Sequence, residues 1–490
     1  MNPGTIALSV IFGIVFLGSG IGFYAGSRRK MSLEQWTVGS RGFGAVLIWL
    51  LMAGEFYTTF SFLGASGWAY SRGGPALYIL AYLALSSVVA FFVLPEVWEL
   101  GRKHGLQTQS DFFRKQYGSQ HLSAFVAVVG VICLVPYVQL QLTGLGLIVE
   151  SASFDGIGRT TAMTIAVVLL TGFVFVSGIR AVAWVSVLKD FLMLASAAII
   201  GIGVTRFHFG GIGPMFEALA RAKPSHLTMP GATSNLGHSW FISTVLLTSL
   251  GGYMWPHAFG ASFTAKSSDT LRRNAVVMPL YSICLAFIFF TGFTALLVIP
   301  GLSDGDLSLL TLVRQTFPAL MVGVIGGAGA LTAMVPASVL LLTASTLFAK
   351  NFYRPIFAPT LSDDQVAKLA RSMVVVLSLI SLYFATHAST TLVSLLLLGY
   401  AGVTQFFPGV VLSLFWRGIR MQGVFAGIVA GVACATLLIL TKRDPFGGLN
   451  AGFIALCLNF AITVAVSKLL PVAAARGSDR PVGLPSTPTS

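Results

Sequence analysis

Met52-Ala53-Gly54-Glu55-Phe56-Tyr57-Thr58-Thr59-Phe60 places a carboxylate beside a glycine in the middle of an apolar run, residues 45–68. A membrane-spanning helix needs about 20 mostly apolar residues, so this run is long enough to cross a bilayer. A charge at mid-membrane is costly and marks a functional site by default. The alternative for Glu55 is a side chain that caps or pairs within a helix bundle. Gly54 and the polar-aromatic cluster after it predict that the helix breaks here. Broken helices free backbone carbonyls and amides for ions and small anions.

A second run, 239–260, carries a matching interruption: Gly251-Gly252-Tyr253-Met254-Trp255-Pro256-His257. Proline removes a backbone donor and clashes with the preceding turn. The rest of the chain sets the frame for these two breaks. Thirteen candidate spans run at 5–26, 45–68, 76–98, 123–150, 160–178, 184–204, 239–260, 275–299, 319–348, 369–386, 390–414, 422–441 and 449–470, numbered 1 to 13 below. The breaks fall in spans 2 and 7, five spans apart. That spacing predicts two inverted five-helix repeats, about 45–204 and 239–414, with a substrate site where the breaks meet. An odd number of helices per repeat gives the halves opposite orientations. The two halves show no clear residue-level identity.

The expected class is an all-α polytopic membrane protein, with residues 1–470 forming one transporter domain. The chain of 490 residues is 55% hydrophobic and 9% charged, with a mean hydropathy of +0.85. A soluble domain carries roughly 25% charged residues. The period-2 alternation of a membrane β-barrel is absent, and 164–176 is continuously apolar. The first run is read as a retained helix rather than a signal peptide, because no basic segment precedes it. The net charge of +14 does not suggest nucleic acid: Lys and Arg lie in the short gaps between apolar runs. With the N-terminus outside, 21 basic residues, among them Arg28, Arg29, Lys30, Arg476 and Arg480, fall in cytoplasmic gaps and eight in external ones. Lys189 alone is left within a helix. This bias predicts a cytoplasmic C-terminus and a cytoplasmic or inner cell membrane. Residues 471–490 read as a disordered tail. Cys133, Cys284, Cys434 and Cys457 lie in apolar runs without pairing, which implies neither disulfide nor metal site.

Gln139 and Gln141 in span 4 and Gln405 in span 11 are polar groups that must find partners. A channel would show a repeated filter or pore-lining rings. A sensor would need a signalling domain, and a pump a nucleotide-binding motif. None is present, nor is a catalytic motif. A secondary transporter for a small solute remains, with the lipid bilayer as its surroundings and no obligatory protein partner.

The chain resembles the sodium/solute symporter family over nearly all of its length. The resemblance rests on Gly54–Tyr70, Tyr137–Gly144, Ser177–Trp184, Trp255-Pro256-His257 through Lys266-Ser267, and the end of span 9 through Asn351-Phe352-Tyr353. It implies the leucine-transporter fold, an external N-terminus and alternating access. Within the family the chain is most similar to the monocarboxylate permeases, through Glu55–Phe60, Pro136–Gly144, Trp184–Asp190 and Val335-Pro336-Ala337. That implies a short organic acid as substrate. The side chains expected around it are Phe56, Tyr57, Thr58, Thr59, Gln139, Trp255, His257 and Gln405. The runner-up substrate is a neutral amino acid or another small solute.

The departures concern the coupling ion. By resemblance, a sodium ion would be held by the carbonyls of Ala53 and Phe56 and by two hydroxyls of span 9. Those hydroxyl positions are Val335 and Pro336, which carry no side-chain oxygen; Ser338 is nearby. The Asp that serves a further sodium in some members is Ser186 here. Glu55 remains as a carboxylate with no basic partner evident in the sequence. The expected coupling ion is therefore a proton, with sodium as the alternative and facilitated transport also open; no bound cofactor is expected.

Overall fold

The computed structural model describes residues 2–26, 33–154, 156–176, 179–387 and 390–470. Arg28, Arg29, Lys30, Ser177, Gly178 and the expected tail at 471–490 lie outside them. Among the described residues there is no strand, only isolated bridges between Phe43 and Ala265 and between Phe446 and Leu449.

The helices follow the thirteen expected runs in order. Unbroken ones are Pro3–Gly26, Tyr78–His104, Gln120–Ala152, Arg159–Val176, Ile179–Phe209, Ser268–Val298, Ala319–Thr346, Asp363–His387, Met421–Leu440 and Ala451–Leu469. Span 2 is split into Ala45–Phe56 and Phe60–Ser71, bent by 59°. Span 7 is split into His238–Gly251 and Pro256–Ser262. Span 11 runs from Leu392 to Phe415 with a tight turn at Thr404–Phe406. By length and apolarity, ten helices can cross a membrane among the described residues, or eleven with the bent pair of span 2. Spans 5 and 7 fall below that measure. The apolar part of span 5, Arg159–Val174, is short, and the break leaves neither half of span 7 long enough.

Burial sorts the spans. Span 9 is packed on all sides, consistent with its run of Gly and Ala, which lets neighbours approach closely. It packs against spans 1, 4, 6 and 10. Spans 12 and 13 form a pair at the periphery. The short helix Gln109–Tyr117 joins spans 3 and 4, and starts with a capping box between Thr108 and Asp111.

Candidate transport site

Span 2 stops at Phe56 because Tyr57 leaves helical geometry at φ −96°, ψ 85°. The hydroxyl residues that follow hold the break. Thr58 Oγ1 accepts the N–H of Phe60 at 3.2 Å, and Ser61 Oγ accepts the N–H of Thr58 at 3.0 Å. Such short side chains compete with the helix for its backbone groups. Two carbonyls lose their helical donors and find others. Glu55 O accepts from the Tyr137 hydroxyl at 3.0 Å, and Tyr57 O accepts from Lys189 Nζ at 3.2 Å. Thr59 Oγ1 donates to Gln141 Oε1 at 2.7 Å, which ties the restart of span 2 to span 4.

Span 7 breaks where its glycines meet neighbours. A Cβ on Gly251 would collide with Thr404 Oγ1, and one on Gly252 would lie 2.7 Å from Ser86 Oγ. Trp255 is extended, and Pro256 opens the second half-helix at a position that needs no N–H donor. The carbonyl of Met254 accepts from Gln109 Nε2 at 2.9 Å.

The two breaks face each other. Glu55 Oε2 lies 3.3 Å from His257 Nε2, with the side chains only 3% and 2% exposed. The separation is that of an ion pair, but the angles are not those of a hydrogen bond. Glu55 Oε2 and His257 Nδ1 are both buried without a hydrogen-bond partner, as are the Tyr253 hydroxyl and Ser86 Oγ. Aromatic rings enclose the pair. Tyr137 packs against Trp255 at 4.9 Å and presents an edge to His257 at 5.5 Å; Phe56 meets Tyr253 at 5.2 Å. The sequence showed no basic partner for Glu55. The fold supplies one from span 7, which no local pattern could reveal.

From this pair an aromatic series leads to one face of the protein: Trp255, Tyr400, Tyr82, Tyr78, Trp240 and Trp68, with neighbouring ring centres 5.3–5.9 Å apart. Trp68 and Trp240 then line a cavity of about 440 Å³ with Arg72, Asn235 and Asp444. On the opposite side His257 lines a narrow cleft with Thr37, Gln107, Thr108, Pro256 and Thr346. Rings thus pack against the pair on one side, and the narrow cleft borders it at His257, which stays buried.

A second charged group sits beside the break. Lys189 and Asp190 of span 6 are fully buried, with Nζ 2.8 Å from Asp190 Oδ1. Asp190 also accepts from the Tyr281 hydroxyl at 3.2 Å, and the Tyr281 ring lies tilted against that of Tyr57, with centres 4.0 Å apart. Both charges act on Glu55. Two adjacent charges inside an apolar run were the signal for this cluster, and the reading of the sequence gave them no role.

The other expected side chains divide. Phe56, Tyr57, Thr58, Thr59, Trp255 and His257 gather at the breaks. Tyr57 turns its hydroxyl to Ser282 at 2.8 Å. Gln139 does not join them: its amide donates to Phe384 O at 3.4 Å, towards span 10. Gln405 turns the other way, donating to Ala401 O at 3.0 Å and accepting from Asn459 Nδ2 at 3.1 Å. Of the two expected carbonyl ligands, Ala53 O accepts the N–H of Tyr57 at 2.9 Å, whereas Phe56 O loses its helical donor, because the N–H of Phe60 turns to Thr58 Oγ1. Val335 and Pro336 are buried in span 9. Ser338 and Ser186 donate their hydroxyls to their own helices, at Met334 O and Val182 O.

Comparison with known proteins gives this arrangement its relatives. The chain is 46% identical to the uncharacterized symporter YhjB of Bacillus subtilis, over 97% of this chain and 99% of that one. It is 28% identical to a monocarboxylate transport permease protein of Rhizobium johnstonii, over 96% and 98%. Its fold matches that of a sodium-coupled sialic acid symporter in a substrate-bound outward-open state, with a TM-score of 0.80 at 18% identity, over 96% of this chain and 99% of that one. The architecture is the leucine-transporter fold. The profile of the Sodium:solute symporter family matches residues 36–431. With that match and the 46% relative, the chain belongs to the sodium:solute symporter family, and is a multi-pass membrane transporter of small solutes rather than an enzyme.

Proposed function

We propose that this protein takes up a short monocarboxylate together with a proton, by alternating access. The observation that carries the reading is the Glu55–His257 pair at the meeting point of the two breaks. An uncompensated charge buried there would cost several kcal/mol, so the empty pair is neutral overall, either a protonated Glu55 beside a neutral imidazole or an ionised Glu55 beside an imidazolium. A substrate carboxylate that takes the imidazolium as its partner leaves Glu55 without one. Glu55 is then neutral only if it binds a second proton. Anion and proton therefore bind together, which is coupling as differential affinity. The Tyr253 hydroxyl and Ser86 Oγ, both without partners, are further donors for the substrate. Phe56 and Trp255 are walls for its short tail. The Rhizobium permease supports the substrate class.

The chain would work in the cytoplasmic membrane with its N-terminus outside, which is the reading that the Lys and Arg bias supports. Sodium-driven uptake of a neutral solute is the second reading, and membership of a sodium:solute symporter family supports its sodium coupling. The deciding experiment uses purified protein in liposomes. Labelled lactate, pyruvate, acetate, alanine and proline are offered under separate proton and sodium gradients. Accumulation of a short acid under the proton gradient alone is expected. Accumulation of a neutral solute under sodium alone would replace this reading with the second.

A further inference from the structure

We propose that the ammonium of Lys189 takes the place of a coupling sodium ion at the span 2 break, so that the chain carries this cation on a tether. The inference rests on the proton-coupled reading of the same site and adds the reason why sodium plays no part.

Lys189 Nζ is fully buried and divides its bonds between the freed carbonyl of Tyr57, at 3.2 Å, and Asp190 Oδ1, at 2.8 Å. It occupies the notch that Gly54 leaves open: a Cβ on Gly54 would stand 3.2 Å from Nζ. A break in a transporter helix offers carbonyl oxygens to a cation. Here a lysine from span 6 reaches one of them. An ammonium suits the task, being a compact point charge with three donors. The side-chain oxygens a metal ion would need beside those carbonyls are missing or turned away. Val335 and Pro336 have none in their side chains, and the hydroxyls of Ser338 and Ser186 are turned into their own helices at 2.7 and 3.0 Å. A second cation within a few ångströms of Nζ would be repelled, and repulsion is strong where water is excluded.

The charged and titratable groups that face the ammonium are Asp190 on its own span, Glu55 on span 2, and Tyr281 of span 8 through Asp190. Lys189 and Asp190 neutralise each other, which leaves Glu55 and His257 free to exchange protons. A tethered cation cannot cross the membrane, so it carries no gradient energy.

Removing the tether should open the position to a soluble cation. In Lys189→Ala, the Asp190 carboxylate and the Tyr57 carbonyl remain as oxygen ligands around a hole. The test is a sodium titration at fixed ionic strength against choline, read as melting temperature and Trp fluorescence of the purified protein, with proton-driven uptake measured alongside in liposomes. Wild type should not respond to sodium. Lys189→Ala should lose proton-driven uptake at least tenfold, and should gain a saturable stabilisation by sodium or methylammonium over choline. A merely structural lysine would give loss without that gain. A sodium response in wild type overturns the proposal. So does a Lys189→Ala protein whose stability ignores both cations, or whose proton-driven uptake is unchanged. If that variant does not fold, the wild-type titration decides alone. Wild-type uptake that ignores the proton gradient, with sodium also inert, would sink the proton-coupled reading and leave Lys189 as the resident cation.

Discussion

Glu55 Oε2 and His257 Nε2 stand 3.3 Å apart, one closing the first half of span 2 and the other opening the second half of span 7. Each half-helix ends where its chain can no longer bond to itself, so the same local disruptions that break the helices deliver the two side chains to each other.

If His257 receives the substrate carboxylate, losing it removes a charged hydrogen bond. His257→Ala should raise KM for uptake about tenfold or more, in line with about 1.5–3 kcal/mol for such a bond. Gln139→Ala should leave KM within about twofold, because its amide turns to Phe384 O. Initial rates of labelled uptake decide between them. A larger effect from Gln139 than from His257 would move the site towards span 10.

Gln405 plays a different part. Gln405→Leu removes the carboxamide that accepts from Asn459 Nδ2 at 3.1 Å and donates to Ala401 O at 3.0 Å, and leaves Asn459 Nδ2 only the backbone oxygen at 2.8 Å. The variant should lose about 1–3 kcal/mol of stability, seen as a lower melting temperature, with KM unchanged.

How much of this was legible follows from the range of each signal. The breaks at 54–60 and 251–257 were readable because Gly, Pro and clustered hydroxyls act within a few residues. The helices and their order were readable because a bilayer demands apolar runs of set length. What the sequence could not pair was Glu55 with His257, or Lys189 with Tyr57 O, since each joins separate spans. Gln139 and Gln405 show the same gap. A glutamine within a span announces that it needs partners, but its place on the helix circumference decides where they are. Span 5 read as an ordinary run, and only the structure shows its apolar part to be short.

The helix Gln109–Tyr117 should act as a latch on span 9. Burial alone would raise the carboxyl of Asp111. Lys350 Nζ at 2.7 Å, the N–H of Gln107 at 3.0 Å and the Asn351 amide at 2.9 Å outweigh burial and hold it below the usual carboxylate range. Asp111→Ala leaves the ammonium of Lys350 half-buried without its carboxylate. A loss of about 3–5 kcal/mol is expected, at the upper end if Gln107 does not compensate. Thermal melting in detergent measures it, and an unchanged melting temperature would show that the latch is idle.

Asp306 should make the loop after span 8 sensitive to pH. Burial pushes its carboxyl up to about 7, although the N–H of Leu392 donates to it at 2.9 Å. The folded form therefore holds its proton at pH values where the unfolded chain has lost it. Between the ordinary carboxylate range and about pH 7, folded protein binds more protons than unfolded, so stability falls as pH rises through that window. Asp306→Asn should flatten this part of the melting-temperature profile and raise stability above pH 7. A profile unchanged by the substitution would assign the pH dependence to another group.

The central claim is that Glu55 carries the coupled proton, and Glu55→Gln in liposomes tests it most directly. The amide keeps the shape of the site and the neutral form, but cannot release a proton. Exchange of labelled for unlabelled substrate at equal pH should persist, while accumulation driven by an acid outside pH should vanish. In wild type, a proton paired with each monocarboxylate makes the cycle electroneutral, so an imposed voltage should not change the accumulation. Proton-driven accumulation that survives in Glu55→Gln would contradict the account.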